Sequence, residues 1–116
     1  MTHTPTPPGA GLLPFQGFSV RYLLDEDGSA WLVARDFLSI MNLDVARNPG
    51  RWLAKTPDTD KAFRNVQSVQ GPQRSLVISV PGAYELTKRY KKANGPLVRS
   101  FLNREAAHLV RRHDRD

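Results

Sequence analysis

Residues 75–112 read SLVISVPGAYELTKRYKKANGPLVRSFLNREAAHLVRR, and this stretch decides the fold. A short apolar strand over 76–80 runs into Pro81-Gly82, and the periodicity beyond it predicts a helix over 83–93. Asn94-Gly95-Pro96 stops that helix and opens a second amphipathic one that runs to about residue 112. In the first helix Ala83, Leu86, Tyr90 and Ala93 recur at helical spacing and mark a core side. Tyr84, Lys88 and Lys91 fall opposite, with Lys92 beside them. An aromatic among lysines either holds a nucleic acid or belongs to a solvated face with one amphipathic tyrosine. In the last helix Leu97, Val98, Phe101, Leu102 and Leu109 mark the buried side, flanked by a basic stripe of Arg104, His108, Arg111 and Arg115. Glu105 falls within the apolar side, which calls for a structural arginine partner or for a helix face that pairs with a second copy.

Upstream, residues 62–70 and 74–80 read as two paired strands around Gln70-Gly71-Pro72-Gln73, carrying Arg64 and Arg74. A hairpin of this kind either touches a nucleic-acid backbone, as the wing of a winged helix does, or simply closes the sheet. Residues 12–24 read as one loosely alternating strand, and the turn Asp25-Glu26-Asp27-Gly28 returns it to a strand over 30–33. A short helix is expected over 34–43, with Phe37, Leu38, Ile40 and Met41 inward. Asn48-Pro49 reads as the cap and first residue of another, over 49–55. The expected fold class is therefore α+β, with antiparallel hairpins packed against short helices. Residues 1–11 form a Pro- and Thr-rich lead expected to be disordered, 12–112 the domain, and 113–116 a tail.

Composition narrows the chemistry. The chain of 116 residues suffices for one modest core and contains no cysteine, so disulfides and thiolate metal sites are excluded and a reducing cytosol is suited. No apolar run approaches the about 20 residues that a membrane span requires, and the N-terminus lacks the pattern of a signal peptide. The three histidines show no metal-ligand spacing, and there is no phosphate-binding glycine loop or nucleophile elbow. Neither cofactor nor catalytic group is expected, and the carboxylates Asp25, Glu26 and Asp27 fit a solvated turn better than a metal cluster.

Charge is unevenly divided. Residues 1–60 carry five Lys/Arg against seven Asp/Glu, whereas residues 61–116 carry twelve against four. A basic half points to a polyanion, above all nucleic acid. Three groups of candidate contacts follow: Arg47, Asn48, Arg51 and Lys55 around the second short helix; Lys88, Lys91, Lys92 and Arg99 on the C-terminal helices; and Arg64 and Arg74 on the hairpin. Cations would neutralise phosphates, and Asn48 with Arg51 could add base contacts. The competing reading is a protein-interaction module whose basic face meets an acidic partner.

Four blocks carry a family resemblance. Phe15-Gln16-Gly17 with Val20-Arg21, Trp31-Leu32-Val33-Ala34-Arg35-Asp36, Asn48-Pro49, and Ile78-Ser79-Val80-Pro81-Gly82-Ala83-Tyr84-Glu85-Leu86 stand in one order over residues 15–111. Together they resemble the Bro-N domain, the N-terminal module of baculovirus repeated-open-reading-frame proteins and of many phage antirepressors. Val80 stands where that family has glutamate, Phe101 where it has tryptophan, and His108 where it has proline. The resemblance implies an α+β domain that binds DNA, duplex DNA first, in the cytoplasm. It also implies a regulatory role, with a repressor protein as the alternative partner, and it supplies no catalytic residues.

Overall fold

A computed structural model of the protein describes residues 9–46, 48–107 and 109. Five strands form one antiparallel sheet: β1 (Ala10–Phe15), β2 (Phe18–Leu24), β3 (Ala30–Val33), β4 (Lys61–Ser68) and β5 (Gly71–Ser79), in the order β1-β2-β3-β5-β4. The helices are α1 (Ala34–Ile40), α2 (Val80–Arg89) and α3 (Gly95–Phe101), with short 3-10 turns at Pro49–Leu53 and Asp58–Asp60. The α+β class expected from the sequence is the one observed, with both hairpins joined in a single sheet.

The central strand shows why the sheet needs cover on both faces. All four residues of β3 are buried. Successive side chains of a strand point to opposite faces, so Ala30 and Leu32 join the main core while Trp31 and Val33 join a second cluster with Val66 and Val77. The main core gathers Leu13, Phe15, Val20 and Ile78 of the sheet with Phe37, Leu38, Leu86, Val98 and Phe101 of the helices. Phe15 and Phe101 meet edge to face at 5.4 Å, a favourable aromatic geometry.

Residues 12–24, read as one strand, are two. Gln16 (φ 48°) and Gly17 (φ 86°) make a two-residue reversal that sets Phe15 opposite Phe18. Two positive φ values match the right-handed twist of a tight hairpin, and the glutamine hides that signal because it is an uncommon residue there. β1 also begins at Ala10, inside the stretch assigned to the lead. In the second hairpin the reversal lies at Val69-Gln70, one position earlier than expected, with Ser68 paired to Gly71 (φ 104°).

α1 follows β3 without a loop and ends at Ile40, short of residue 43. α2 starts three residues earlier than its periodicity suggests, at Val80. Ser79 Oγ accepts from Gly82 N at 3.1 Å and donates to Asp60 Oδ1 at 2.8 Å, so one hydroxyl caps the helix and ties it to the turn before β4. Pro81 sits in the first turn, where its missing N–H costs nothing. Gly82 is needed for close approach: a Cβ there would lie 2.9 Å from Ile78 Cγ1 and 3.1 Å from Asp60 Cβ. α2 ends at Arg89 rather than 93, because Tyr90 leaves helical geometry and sets its ring edge-on to Trp52 at 5.2 Å. Ala93 is consequently exposed.

The last helix is not uniform. After α3 the backbone widens into a π-helical turn over Leu102–Ala106. The extra residue shifts the register, and Phe101, Leu102, Ala106 and Leu109 are buried while Leu97, expected inside, is 51% exposed. Glu105 is half-buried and paired with Arg104 at 3.1 Å, which satisfies its carboxylate locally. No helix among the described residues is long and apolar enough to cross a membrane.

Candidate functional site

The turn between α2 and α3 concentrates positive charge. Lys88 lies in the last turn of α2, Lys91 and Lys92 in the connection, and Arg99 one turn into α3. With Thr87, Gly95 and Pro96 they line one cleft of ≈ 540 Å³. The short connection makes this possible: Asn94 donates its side-chain N–H to Ile40 O at 2.8 Å, pinning the loop to the end of α1. Gly95 is buried close to Arg99, whose Nη1 would lie 3.4 Å from a Cβ at that position. Among the described residues none of these four cations is ion-paired, since the neighbouring acid, Glu85, is taken up by Arg89 at 3.7 Å. The second predicted group is therefore brought together intact.

The first group is dispersed in role. Arg47 lies outside the described residues, as do His108, Arg111 and Arg115. Asn48 Oδ1 accepts from Gly50 N at 3.1 Å and caps the Pro49–Leu53 turn, so its acceptor is committed and only its amide donors remain. Arg51 lies over the Trp52 ring, 4.6 Å from its centroid, and the Trp52 indole donates to Asp44 O at 2.7 Å. Lys55 is exposed but lines neither of the two cationic clefts.

The hairpin arginines do not act together. In the β4–β5 register Arg64 faces Ser75 and Arg74 faces Asn65, so the two arginines project from opposite faces. Arg64 binds Asp25 at 3.0 Å and packs over Trp31 at 5.3 Å, while the Trp31 indole donates to the same carboxylate at 2.9 Å. The hydrogen bond to Asp25 raises the Arg64 pKa, against the opposing effect of burial, and the charges of Asp25 and Asp27 add to the rise. Arg64 thus clamps the Asp25 turn onto the sheet and is not a free phosphate contact.

Arg74 instead enters a second cleft with Arg21, Arg35 and Asn48. This cleft opens where β3 stops at Val33 and β5 continues past it. Arg21 is neutralised in place: Nε and Nη2 bind Asp36 at 2.8 and 3.0 Å, and the Arg21 backbone N–H adds a third bond at 3.0 Å. The hydrogen bond to Asp36 raises the Arg21 pKa, with burial opposing and the charge of Asp36 assisting. Arg35 donates to Val45 O at 3.0 Å, a neutral acceptor, so its charge is uncompensated. Arg21 and Arg35 were missed as candidates; both sit in blocks read for fold, and nothing in their spacing announces that β3 ends beside them.

Tyr84 corrects another expectation. Its side chain packs on the main core and its hydroxyl donates to Asn103 Oδ1, so it does not stand with Lys88 and Lys91 as a stacking platform. The Pro49–Leu53 turn links the two clefts: Asn48, Pro49 and Gly50 line one, while Trp52 rests on Tyr90, next in chain to Lys91 and Lys92 of the other. Among the described residues no group of three or more His, Asp or Glu could hold a metal ion. Family models, curated proteins and solved structures give no significant match to this chain. What fold and site define is an α+β domain with two cation-bearing clefts on either side of one short turn.

Proposed function

We propose that the protein is a nucleic-acid-binding regulatory module of the Bro-N kind, with duplex DNA as its first ligand. The observation that carries this reading is the cleft of Lys88, Lys91, Lys92 and Arg99, four cations without an acid partner among the described residues. Burying or pairing cations is the ordinary way a fold neutralises them, as Arg21 and Arg64 show. Cations left together and unpaired remain free to neutralise phosphates and to release the counterions condensed on a duplex. The uncompensated Arg35 and Arg74 extend the same potential across the Pro49–Leu53 turn. The mechanism is binding through backbone phosphates, with Arg51 and the amide donors of Asn48 as the nearest groups for base edges.

The test is fluorescence anisotropy of a labelled 20-base-pair duplex across a salt series. Lys88→Gln and Lys91→Gln should each flatten the slope of log K against log salt by about 0.9. Slopes that stay at the wild-type value in both variants would overturn the assignment of this cleft.

A further inference from the structure

A second feature of the Pro49–Leu53 turn concerns recognition rather than charge. Gly50, Phe63 and Leu76 line two grooves at once, so the grooves adjoin. One is the cationic cleft of Arg35 and Arg74; the other is lined by Leu53, Ala62, Phe63 and Leu76, with Asp58 and Lys61. Each measures ≈ 390 Å³. Lys61 is directed to the backbone, donating to Leu53 O at 2.9 Å, and Asp58 makes the second groove unfavourable for an anion. A ligand that spans both must therefore be apolar at one end and anionic at the other.

Phe63 stands at the junction. It lies opposite Leu76 in the hairpin register and is 52% exposed, and the Arg74 guanidinium lies 5.2 Å from its ring centroid. Gly50 keeps the junction open. It is not among the glycines with positive φ, so its backbone does not demand glycine, and a Cβ there would reach to 3.7 Å of Leu76 Cδ2. A flat ring attached by a short link to a dianion or monoanion has the chemistry these grooves fit.

We propose that this bipartite groove is a nucleotide site, in which a nucleobase lies against Phe63 over Leu53 and Leu76 while its phosphate is held by Arg74 and Arg35. The site rests on the nucleic-acid reading above and goes beyond it by naming a base-contacting residue outside the lysine cleft. The nucleotide has two sources, an unpaired position in a strand or a free mononucleotide. An acidic peptide bearing an aromatic residue is the competing occupant; the surplus of unpaired cations beside the groove favours the nucleotide.

The experiment compares a twelve-nucleotide oligothymidylate, an abasic deoxyribose-phosphate strand of the same length, thymidine monophosphate, and a twelve-residue Glu/Phe peptide. Each is titrated onto wild type, Phe63→Ala and Phe63→Trp. Wild type should bind the base-bearing strand about tenfold more tightly than the abasic one. Phe63→Ala should remove that ratio while leaving abasic binding unchanged, and Phe63→Trp should keep it. Competition by thymidine monophosphate at micromolar to millimolar concentration marks a mononucleotide site, and its failure with the tenfold ratio intact marks the strand as the source. Equal binding of the two strands by wild type, or equal weakening of both by Phe63→Ala, overturns the proposal while the phosphate reading stands. A peptide that binds more tightly than the oligothymidylate, and loses that binding in Phe63→Ala, also overturns it. Failure of both strands to bind at low salt overturns the two readings together.

Discussion

Asp36→Asn separates what the fold needs from what the site does. In the native protein Asp36 accepts two side-chain bonds and one backbone bond from Arg21, and the side chains are 16% and 32% exposed respectively. Asparagine keeps the shape and one acceptor but loses the charge and the bidentate pairing. Charge-assisted bonds of this kind contribute about 1.5–3 kcal/mol, and partial exposure with solvent screening reduces that to about 1–2 kcal/mol here. For a domain of this size the loss corresponds to a Tm about 4–8 °C lower. The same change leaves the Arg21 charge uncompensated in the cleft that holds Arg35 and Arg74. Polyanion binding should then strengthen and the salt slope steepen by about 0.9, so that a fourfold rise in salt costs about 3.5-fold more affinity than in wild type. Thermal melts followed by circular dichroism give the first quantity, and anisotropy over a salt series gives the second. A variant that loses stability yet keeps the wild-type slope would show that the Arg35–Arg74 cleft takes no part in binding.

Three further outcomes follow from the geometry. Gly82→Ala places a Cβ against Ile78 and Asp60 and should destabilise by about 1–3 kcal/mol in urea unfolding; an unchanged midpoint would mean that the β5–α2 junction relaxes freely. Gln16→Asn, at a position with φ 48°, should stabilise by about 0.5–1 kcal/mol because asparagine tolerates the left-handed region better, and a lower Tm would contradict the two-residue reversal. Asp25→Ala strands the buried Trp31 indole N–H and frees Arg64, and should cost about 1–3 kcal/mol without altering the salt slope of the lysine cleft; a changed slope would place Arg64 at the interface after all.

The elements carried by strong local chemistry were legible. Ser79-Val80-Pro81-Gly82 announces a capped helix start, and Asn94-Gly95-Pro96 announces a break, because each residue type there answers a backbone requirement. The lysine cleft was legible for a related reason: three of its cations lie within five residues around that break, so proximity in sequence ensures proximity in space. What was hidden depends on tertiary register. Gln16 masks the first reversal because glutamine is not a residue that φ 48° favours. Arg64 and Arg74 look alike in sequence, yet the pairing Arg64–Ser75 and Asn65–Arg74 sends them to opposite faces. The π-helical turn has no marker among Leu102, Asn103, Arg104, Glu105 and Ala106, and through it Leu97 and Glu105 depart from a uniform helical wheel. Phe63 reads as an ordinary strand residue until its neighbours across the Pro49–Leu53 turn are known.

The salt dependence of duplex binding by the wild-type protein tests the central claim most directly. Four unpaired cations in the cleft of Lys88, Lys91, Lys92 and Arg99 predict a slope of log K against log salt of about −3.6 or steeper, hence a loss of about 100-fold or more between 50 and 200 mM salt. Binding that is flat across this range, or that does not occur at 50 mM, would contradict the assignment of that cleft to phosphates.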